Sequence, residues 1–356
     1  MKAAIVSLGG TSSHWISDAM RKHFETVDMI DIRDVEVLLE SKKMKVMHRG
    51  EEVTGYDCVL VRGSFRYSAM LTAVTSVLQQ ESYVPVSADA ISACHDKFLT
   101  QLKLQEHKIA MPSVYMASTG DSVRALLEKL PYPVVMKLPH GTQGKGVMFA
   151  DSYASASSLI DALAALRQPF IIQDYVETGG RDLRAIVVGE KVVASMMRKS
   201  QNQEARANIH AGGKGEAIEL DMKTQQLAIK AARAMGAEIC GVDLLEGPTG
   251  PMILEVNVSP GLKGITAATG IDVAGEIANY LFERTKELKE GEKSIKEKEA
   301  MKEIGKSASM SEIVTTLDFK ANRILLPDFV NKLAELNSED EVIIKVEKGK
   351  VTIEKE

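Results

Sequence analysis

Gly241-Val-Asp-Leu-Leu-Glu-Gly-Pro-Thr-Gly-Pro-Met-Ile-Leu-Glu-Val-Asn-Val-Ser-Pro-Gly261 decides how this chain is read. Two apolar runs, Glu238 to Leu245 and Met252 to Val258, flank the turn formers Gly247-Pro248-Thr249-Gly250, so the segment reads as a β-hairpin. Pairing around that turn sets Asp243 opposite Leu254 or Glu255. A strand's period of two puts Glu255 and Asn257 on one face, so two carboxylates and an amide converge. Such hard oxygens suit Mg²⁺, which leaves coordination positions for water and phosphate oxygens. A polar hairpin face without metal is the alternative for a lone Glu-x-Asn, and the rest of the chain decides between them.

Working outward, 356 residues suffice for two or three domains, and 45% hydrophobic with 26% charged residues is ordinary for a globular chain. A formal net charge of −5 gives no general affinity for nucleic acid or anionic membranes, so any polyanion must be bound locally. Cys58, Cys94 and Cys240 have no paired or Cys-x-x-Cys spacing, which fits a reducing compartment and no zinc site. The N-terminal apolar run is too short for a signal sequence, and no segment reaches the roughly 18 apolar residues of a membrane helix. A cytoplasmic location is expected.

Residues 1–88 alternate short apolar runs with helical patterns: Ala3–Leu8, a helix near Ser13–Phe24, Val27–Ile32, Cys58–Val61, a helix near Ala69–Gln80, and Val84–Val86. That alternation predicts a parallel sheet covered by helices. Gly9-Gly10-Thr11-Ser12-Ser13 lacks G-x-G-x-x-G spacing and reads as a strand-to-helix turn. Residues 89–168 show a helix at Asp96–His107, a strand at Val114–Met116, a helix near Ser122–Leu130, and strands at Val134–Leu138 and Val147–Ala150. Residues 169–285 hold strands at Phe170–Gln173, Leu183–Val188, Lys191–Met197 and Ala217–Leu220, a helix at Lys223–Met235, and the metal hairpin. Val188-Gly189-Glu190-Lys191 makes a second tight hairpin. Residues 286–310 are a Lys/Glu-rich linker or solvated helix, and 311–356 look like a separate module, β-rich at both ends around a short helix at Asp328–Leu336.

Lys137 ends an apolar strand just before Gly141-Thr-Gln-Gly-Lys-Gly146, where bare N–H groups of Gly141, Gln143, Gly144 and Gly146 can close over phosphate oxygens. The spacing is not that of a P-loop, and a structural turn is the alternative. Lys97 opens a helix and can reach the same phosphates. Arg206, Asn208 and His210, at i, i+2 and i+4 before Gly212 and Gly213, project to one side if extended. Arg206 then suits charge on a transferred phosphoryl group, with Asn208 and His210 orienting substrate. Arg181, Asp182 and Arg184 combine two cations with a carboxylate, suited to an acidic substrate and a ribose hydroxyl.

In this order, Lys97, Lys137, the Gly141–Gly146 loop, Gln173-Asp174-Tyr175-Val176, the run ending at Arg184, Arg206 to His210, Asp243, Glu255-Val-Asn257 and Ser259-Pro-Gly261 resemble the ATP-grasp ligases. The chain looks specifically like the RimK-type α-L-glutamate ligases over about residues 1–285. The resemblance implies an α/β (α+β) ATP-grasp fold with a Rossmann-like pre-ATP-grasp domain. It further implies phosphate binding by Lys97 and Lys137, adenine framed by Gln173, Asp174, Tyr175 and Val176, and Asp182 near the ribose. Asp243, Glu255 and Asn257 would hold Mg²⁺ or Mn²⁺, while Arg206 and Asn208 serve phosphoryl transfer. Arg184, His210, Gly212 and Gly213 would bind substrate. The chain departs from the family at Ala205 and Ala211, where the acceptor or amino acid is expected.

Residues 311–356 resemble AbrB-like swapped-hairpin domains over about 40 residues. Seven Lys+Arg against ten Asp+Glu give this segment a net charge of −3, which argues against DNA and for a subunit contact in a homo-oligomer. The expected activity is ATP- and Mg²⁺-dependent addition of L-glutamate, through an acylphosphate, to an acidic cofactor or a protein C-terminus. The same ligation with lysine, cysteine or glycine and a nucleotide-sensing DNA-binding regulator are the competing expectations.

Overall fold

The computed structural model describes residues 1–117, 119–141, 146–199, 214–304, 318–320, 323–326, 334, 336–337 and 340–355. The chain divides into two compact units, Met1–Thr285 and Lys286–Glu356. No helix among the described residues is long and apolar enough to cross a membrane.

The first unit opens with β1 (Lys2–Ser7), α1 (Thr11–Met20), β2 (Thr26–Asp31), a short antiparallel meander of β3 (Val35–Leu39), β4 (Met44–His48) and β5 (Glu51–Glu52), then β6 (Cys58–Val61) and α2 (Ser68–Leu78). β1 lies between β2 and β6 and is parallel to both. The continuous apolar runs of β1 and β6 follow from burial on both faces, as parallel sheets require. Expected as a strand, Val84–Val86 carries one isolated bridge, Val86 with Ala237, and Tyr83 just before it bridges Cys58. Two helices follow: α3 (Ala88–Cys94), whose N-cap Ser87 accepts from the Ala90 N–H, and α4 (Lys97–Glu106), capped by Asp96.

A second sheet is ordered β7 (Val114–Tyr115), β10 (Ile171–Asp174), β8 (Val134–Lys137), β9 (Val147–Ala150). Its Val134, Met136, Ile172 and Ala150 face a core closed by α5 (Gly120–Leu127) and α6 (Tyr153–Ala165). By alternation, the opposite face carries Val135, Lys137, Phe149, Gln173 and Tyr175.

The third sheet is ordered β13 (Lys214–Ala217), β12 (Lys191–Lys199), β11 (Arg181–Val188), β14 (Ile239–Gly247), β15 (Gly250–Asn257). One face packs against α7 (Met222–Met235) through Leu183, Ala185, Val187, Cys240, Val242 and Leu244. The other face changes character along its length. Its lower half, with Ile186, Val188, Ala194, Met196 and Ile239, packs against α8 (Lys263–Thr269) and the start of α9 (Val273–Ile304). Its upper half carries charge.

In the second unit the Lys/Glu-rich stretch continues α9 to Ile304. Beyond it, β16 (Asp318–Lys320) pairs with β17 (Arg323–Leu325), and β18 (Val342–Glu347) pairs with β19 (Lys350–Lys355) around Lys348 and Gly349. The expected helix near Asp328 lies almost entirely outside the described residues.

Candidate active site

The decisive hairpin forms as read, and its register is definite: Asp243 opposes Glu255 and Gly241 opposes Asn257. A bulge between Asp243 and Leu244 settles the choice, because Leu244 pairs with Ile253 and Leu254 becomes the extra residue. The bulged strand is held from outside. The Ile253 N–H donates to Ala110 O at 2.8 Å, and Gln101 Nε2 donates to Leu254 O at 3.0 Å. Asp243, Glu255 and Asn257 therefore share one face of the sheet.

Opposite Asp243 on β11 stands Arg184, and opposite Asp182 on β12 stands Arg198. Arg184 Nε and Nη2 donate to the two Asp243 carboxylate oxygens at 2.7 Å each, and Arg198 Nη2 reaches Asp243 Oδ2 at 2.9 Å. Arg198 Nε donates to Asp182. Arg198 and Asp243 are each only 5% exposed. Burial works against the Asp243 charge, but Arg184 and Arg198 outweigh it and hold the carboxyl well below the usual carboxylate range. For Asp182 burial wins: with Arg198 opposing and Asp243 assisting, it pushes the carboxyl up to about 6. Arg198 stays charged because the two carboxylates overcome its burial.

This network limits what Asp243 can offer a metal. A carboxylate has about four lone-pair sites, and three are taken by guanidinium N–H groups, leaving one on Oδ1. Asn257 Oδ1 accepts from the Ser259 N–H at 2.9 Å, which aims the amide oxygen and leaves it a second lone pair. Glu255 makes no hydrogen bond or ion pair among the described residues. Those residues contain no group of three His, Cys, Asp or Glu suited to a metal. Two carboxylates with an amide nevertheless form a hard-oxygen set that fits Mg²⁺ supplemented by water and phosphate oxygens.

On the second sheet, Lys137 and Gln173 are diagonal cross-strand neighbours, and Lys137 Nζ donates to Gln173 Oε1. Burial lowers the Lys137 ammonium to about 8, against the pull of Glu255 and with the repulsion of Lys97. Lys137 thus lies within electrostatic reach of both Lys97 and Glu255. Lys97 Nζ donates to Gly141 O at 2.8 Å and its N–H to Pro139 O at 3.0 Å, tying α4 to the start of the glycine loop. Gly146 closes that loop at φ +78°, where a Cβ would lie 2.9 Å from Leu138 Cδ1. Tyr175 meets Phe149 edge-on at 6.0 Å, and the Asp174 N–H donates to Ser113 O at 3.0 Å. Val176 packs beside Gly247 at the turn between β14 and β15.

The structure thus gathers Lys97, Lys137, Gln173 and Glu255 into one neighbourhood, and joins Asp182, Arg184 and Asp243 into one ion network on the face that carries Glu255 and Asn257. Gln143, Gly144, Arg206, Asn208, His210, Gly212 and Gly213 lie outside the described residues. Sequence reasoning did not single out Arg198. A signal existed: the tight turn at Val188–Lys191 folds β12 back so that Arg198 falls near Asp182, and an arginine ending an apolar strand needs a partner.

Residues 94–281 match the family model described as the RimK-like ATP-grasp domain. A probable alpha-L-glutamate ligase of Thioalkalivibrio sulfidiphilus is 37% identical over 286 residues, covering 79% of this chain and 95% of that protein. One from Hahella chejuensis is 35% identical over 294 residues, covering 81% and 97%. Among solved structures, the ATP-grasp ligase PsnB complexed with minimal precursor, Mg and ADP shares the fold at a TM-score of 0.62 and 17% identity, covering 80% of this chain and 98% of that one. D-cycloserine synthetase DcsG does so at 0.60 and 18% identity, covering 80% and 100%. The chain belongs to the RimK-like ATP-grasp family and is an ATP-dependent carboxylate–amine ligase.

Proposed function

We propose that this ligase adds L-glutamate, or a closely related amino acid, to an acidic small-molecule cofactor or a protein C-terminal carboxylate in the cytoplasm. The observation that carries the site is the register placing Asp243, Glu255 and Asn257 on one face, with Lys137 in electrostatic reach of Glu255. The relatives' names support glutamate as the amine.

In this reading Lys97, Lys137 and the Gly141, Gln143, Gly144 and Gly146 backbone hold the ATP phosphates. Gln173, Asp174, Tyr175 and Val176 frame the adenine, with Asp182 toward the ribose. Asp243, Glu255 and Asn257 hold Mg²⁺, or Mn²⁺ in its place, and the ion when bound neutralises charge on the transferring phosphoryl group. An acceptor carboxylate oxygen attacks the γ-phosphorus and ADP leaves. The amine then attacks the acyl carbon of the acylphosphate, inorganic phosphate departs, and the nitrogen loses a proton to give the amide. No side-chain nucleophile is needed, so the protein's contribution is placement and charge: Lys137 and Arg206 stabilise the transferred group, Asn208 orients it, and Arg184, His210, Gly212 and Gly213 position substrate. Arg184 also fixes the Asp243 carboxylate, so that its free Oδ1 lone pair has one direction.

Residues 311–356 are read as an AbrB-like subunit contact. Ile344 opposes Ile353 and Val346 opposes Val351 on one face of the β18–β19 hairpin, and all four are exposed. A two-stranded hairpin is marginal without a partner. Sedimentation should show an oligomer that dissociates when residues 311–356 are deleted; a monomer unchanged by the deletion contradicts this part.

The ligase reading is tested by incubating purified protein with ATP, Mg²⁺, L-glutamate and either a metabolite extract or a ribosomal protein fraction, with products identified by mass. A glutamyl addition to one acceptor supports it. ATP turnover that attaches only a different amino acid contradicts the glutamate assignment.

A further inference from the structure

Two arginines are strongly buried among the described residues, and they differ in a telling way. Arg198 faces two carboxylates. Arg62, 8% exposed, is paired with no carboxylate among the described residues, and burial alone pulls its guanidinium down to about 10, so it remains charged at neutral pH. Among the described residues its only side-chain hydrogen bond runs from Nη2 to Pro260 O at 2.7 Å. A neutral donor would satisfy that carbonyl, so the charge needs another explanation.

Its position supplies one. Arg62 directly follows β6, and its N–H continues the ladder to Val6 O on β1 at 3.0 Å. In the order β2-β1-β6 the chain leaves β1 toward β2 and later returns to the opposite side. The carboxyl ends of β1 and β6 therefore flank a switch point, where open α/β sheets bind ligands. The first turn of α1, after β1, and the loop after β6 both grip the segment that follows the β14–β15 hairpin. The Gly63 N–H donates to Ser259 Oγ at 2.9 Å, and the Leu262 N–H donates to Ser12 Oγ at 2.9 Å. Pro260, on which Arg62 rests, lies three residues past Asn257, and its Cβ sits 3.1 Å from where a Cβ on Gly241, the cross-strand partner of Asn257, would be. A cation is thus held at the seam between the N-terminal strands and the β14–β15 hairpin, with four of its five N–H donors uncommitted among the described residues.

We propose that Arg62 is a substrate-binding residue whose guanidinium receives a carboxylate, from either the incoming amino acid or the acceptor. The assignment rests on the carboxylate–amine ligase reading and adds a named residue from the N-terminal domain to its site. A buried unpaired cation costs stability that a ligand-binding role justifies, since an apolar residue of similar volume is commonly as stable or more so.

The test is calorimetric titration of the full-length protein, with Mg²⁺ and the ATP analogue AMPPNP, by L-glutamate in one arm and a peptide ending in two glutamates in the other. Arg62→Met should weaken at least one probe tenfold or more, leave AMPPNP affinity intact, and leave the ligand-free melting temperature unchanged or raised. Arg62→Lys should recover part of the lost affinity. The weakened arm identifies the carboxylate; if it is glutamate, the variant should also lose discrimination between L-glutamate and its α-amide. The proposal is overturned if Arg62→Met binds every probe that the wild type binds with unchanged affinity. It is equally overturned if a fall in melting temperature and in AMPPNP affinity accompanies the loss, since that marks a structural pin. Wild-type protein that binds AMPPNP but neither probe overturns the substrate reading and this assignment with it.

Discussion

Replacing Arg198 with methionine removes a buried charge while keeping most of its volume, so the loss measured is that of the ion network rather than of packing. Arg198 pairs with the buried Asp243 and with Asp182, which is partly exposed, and the two do not depend on it equally. Asp243 keeps two hydrogen bonds from Arg184, whereas Asp182 loses its only direct guanidinium partner among the described residues. Breaking a buried pair costs about 3–5 kcal/mol, and the retained Arg184 contacts point to the lower end. In a unit running from Met1 to Thr285, at about 2.1 cal/mol/K of unfolding entropy per residue, that corresponds to roughly 5 °C in melting temperature. The loss should depend on pH with a definite sign. Asp182 already sits at about 6, above its unfolded value, so its contribution is complete at acid pH and falls as pH rises through that value. Without Arg198 its carboxyl moves higher still, and the variant keeps losing stability above pH 6 where the wild type has levelled off. Thermal melts at pH 5.5 and pH 8 should therefore show the larger deficit at pH 8. A deficit below about 1 kcal/mol, or one equal at the two pH values, refutes the claim that Arg198 compensates Asp182.

Lys137, lowered to about 8 by burial, must be protonated to attract phosphate, so ATP affinity should fall as pH rises through 8. Lys137→Met should bind ATP more weakly at neutral pH and lose that dependence, both read by calorimetry. Gly189 turns between β11 and β12 at φ +58°, and a Cβ there would lie 2.4 Å from Tyr280 Cε2. The Tyr280 ring cannot swing away freely, because its hydroxyl donates to Glu238 Oε2 at 2.8 Å. Gly189→Ala should cost roughly 2–4 kcal/mol from the left-handed backbone and the overpacking together. Added to Tyr280→Ala it should cost clearly less, as denaturant unfolding of the double mutant would reveal.

The parts of the fold written in strong periodicity were legible. β1, β6, β8, α7 and the β14–β15 hairpin all form within a few residues of where the sequence put them. The choice between Leu254 and Glu255 as the partner of Asp243 was not, because the bulge is fixed from outside the hairpin by Ala110 O and Gln101. Helix α6 escaped because Tyr153-Ala-Ser-Ala-Ser-Ser has little apolar periodicity; its start is specified by the Ser152 capping box, a local device. The meander β3–β5 escaped for a similar reason, its strands being largely exposed and mixed in polarity. β13 lies at Lys214–Ala217 rather than Ala217–Leu220, since its register is set by pairing with β12. Within the site, residues with chemistry of their own stood out in sequence. Arg198 and Arg62 did not, because their meaning lies in what they face, or do not face, across a sheet.

If the face of Asp243, Glu255 and Asn257 runs Mg²⁺-dependent ligation, ADP release by the wild type and by Glu255→Ala reports it. With ATP, Mg²⁺, L-glutamate and the mass-identified acceptor, wild-type ADP release should require all four components and match amide formed one for one. Glu255→Ala should lose at least about a hundredfold in rate, as expected when positioned charge stabilisation is removed, while still binding ATP. Full activity in Glu255→Ala, or wild-type ADP release indifferent to the amino acid and acceptor, would contradict the account.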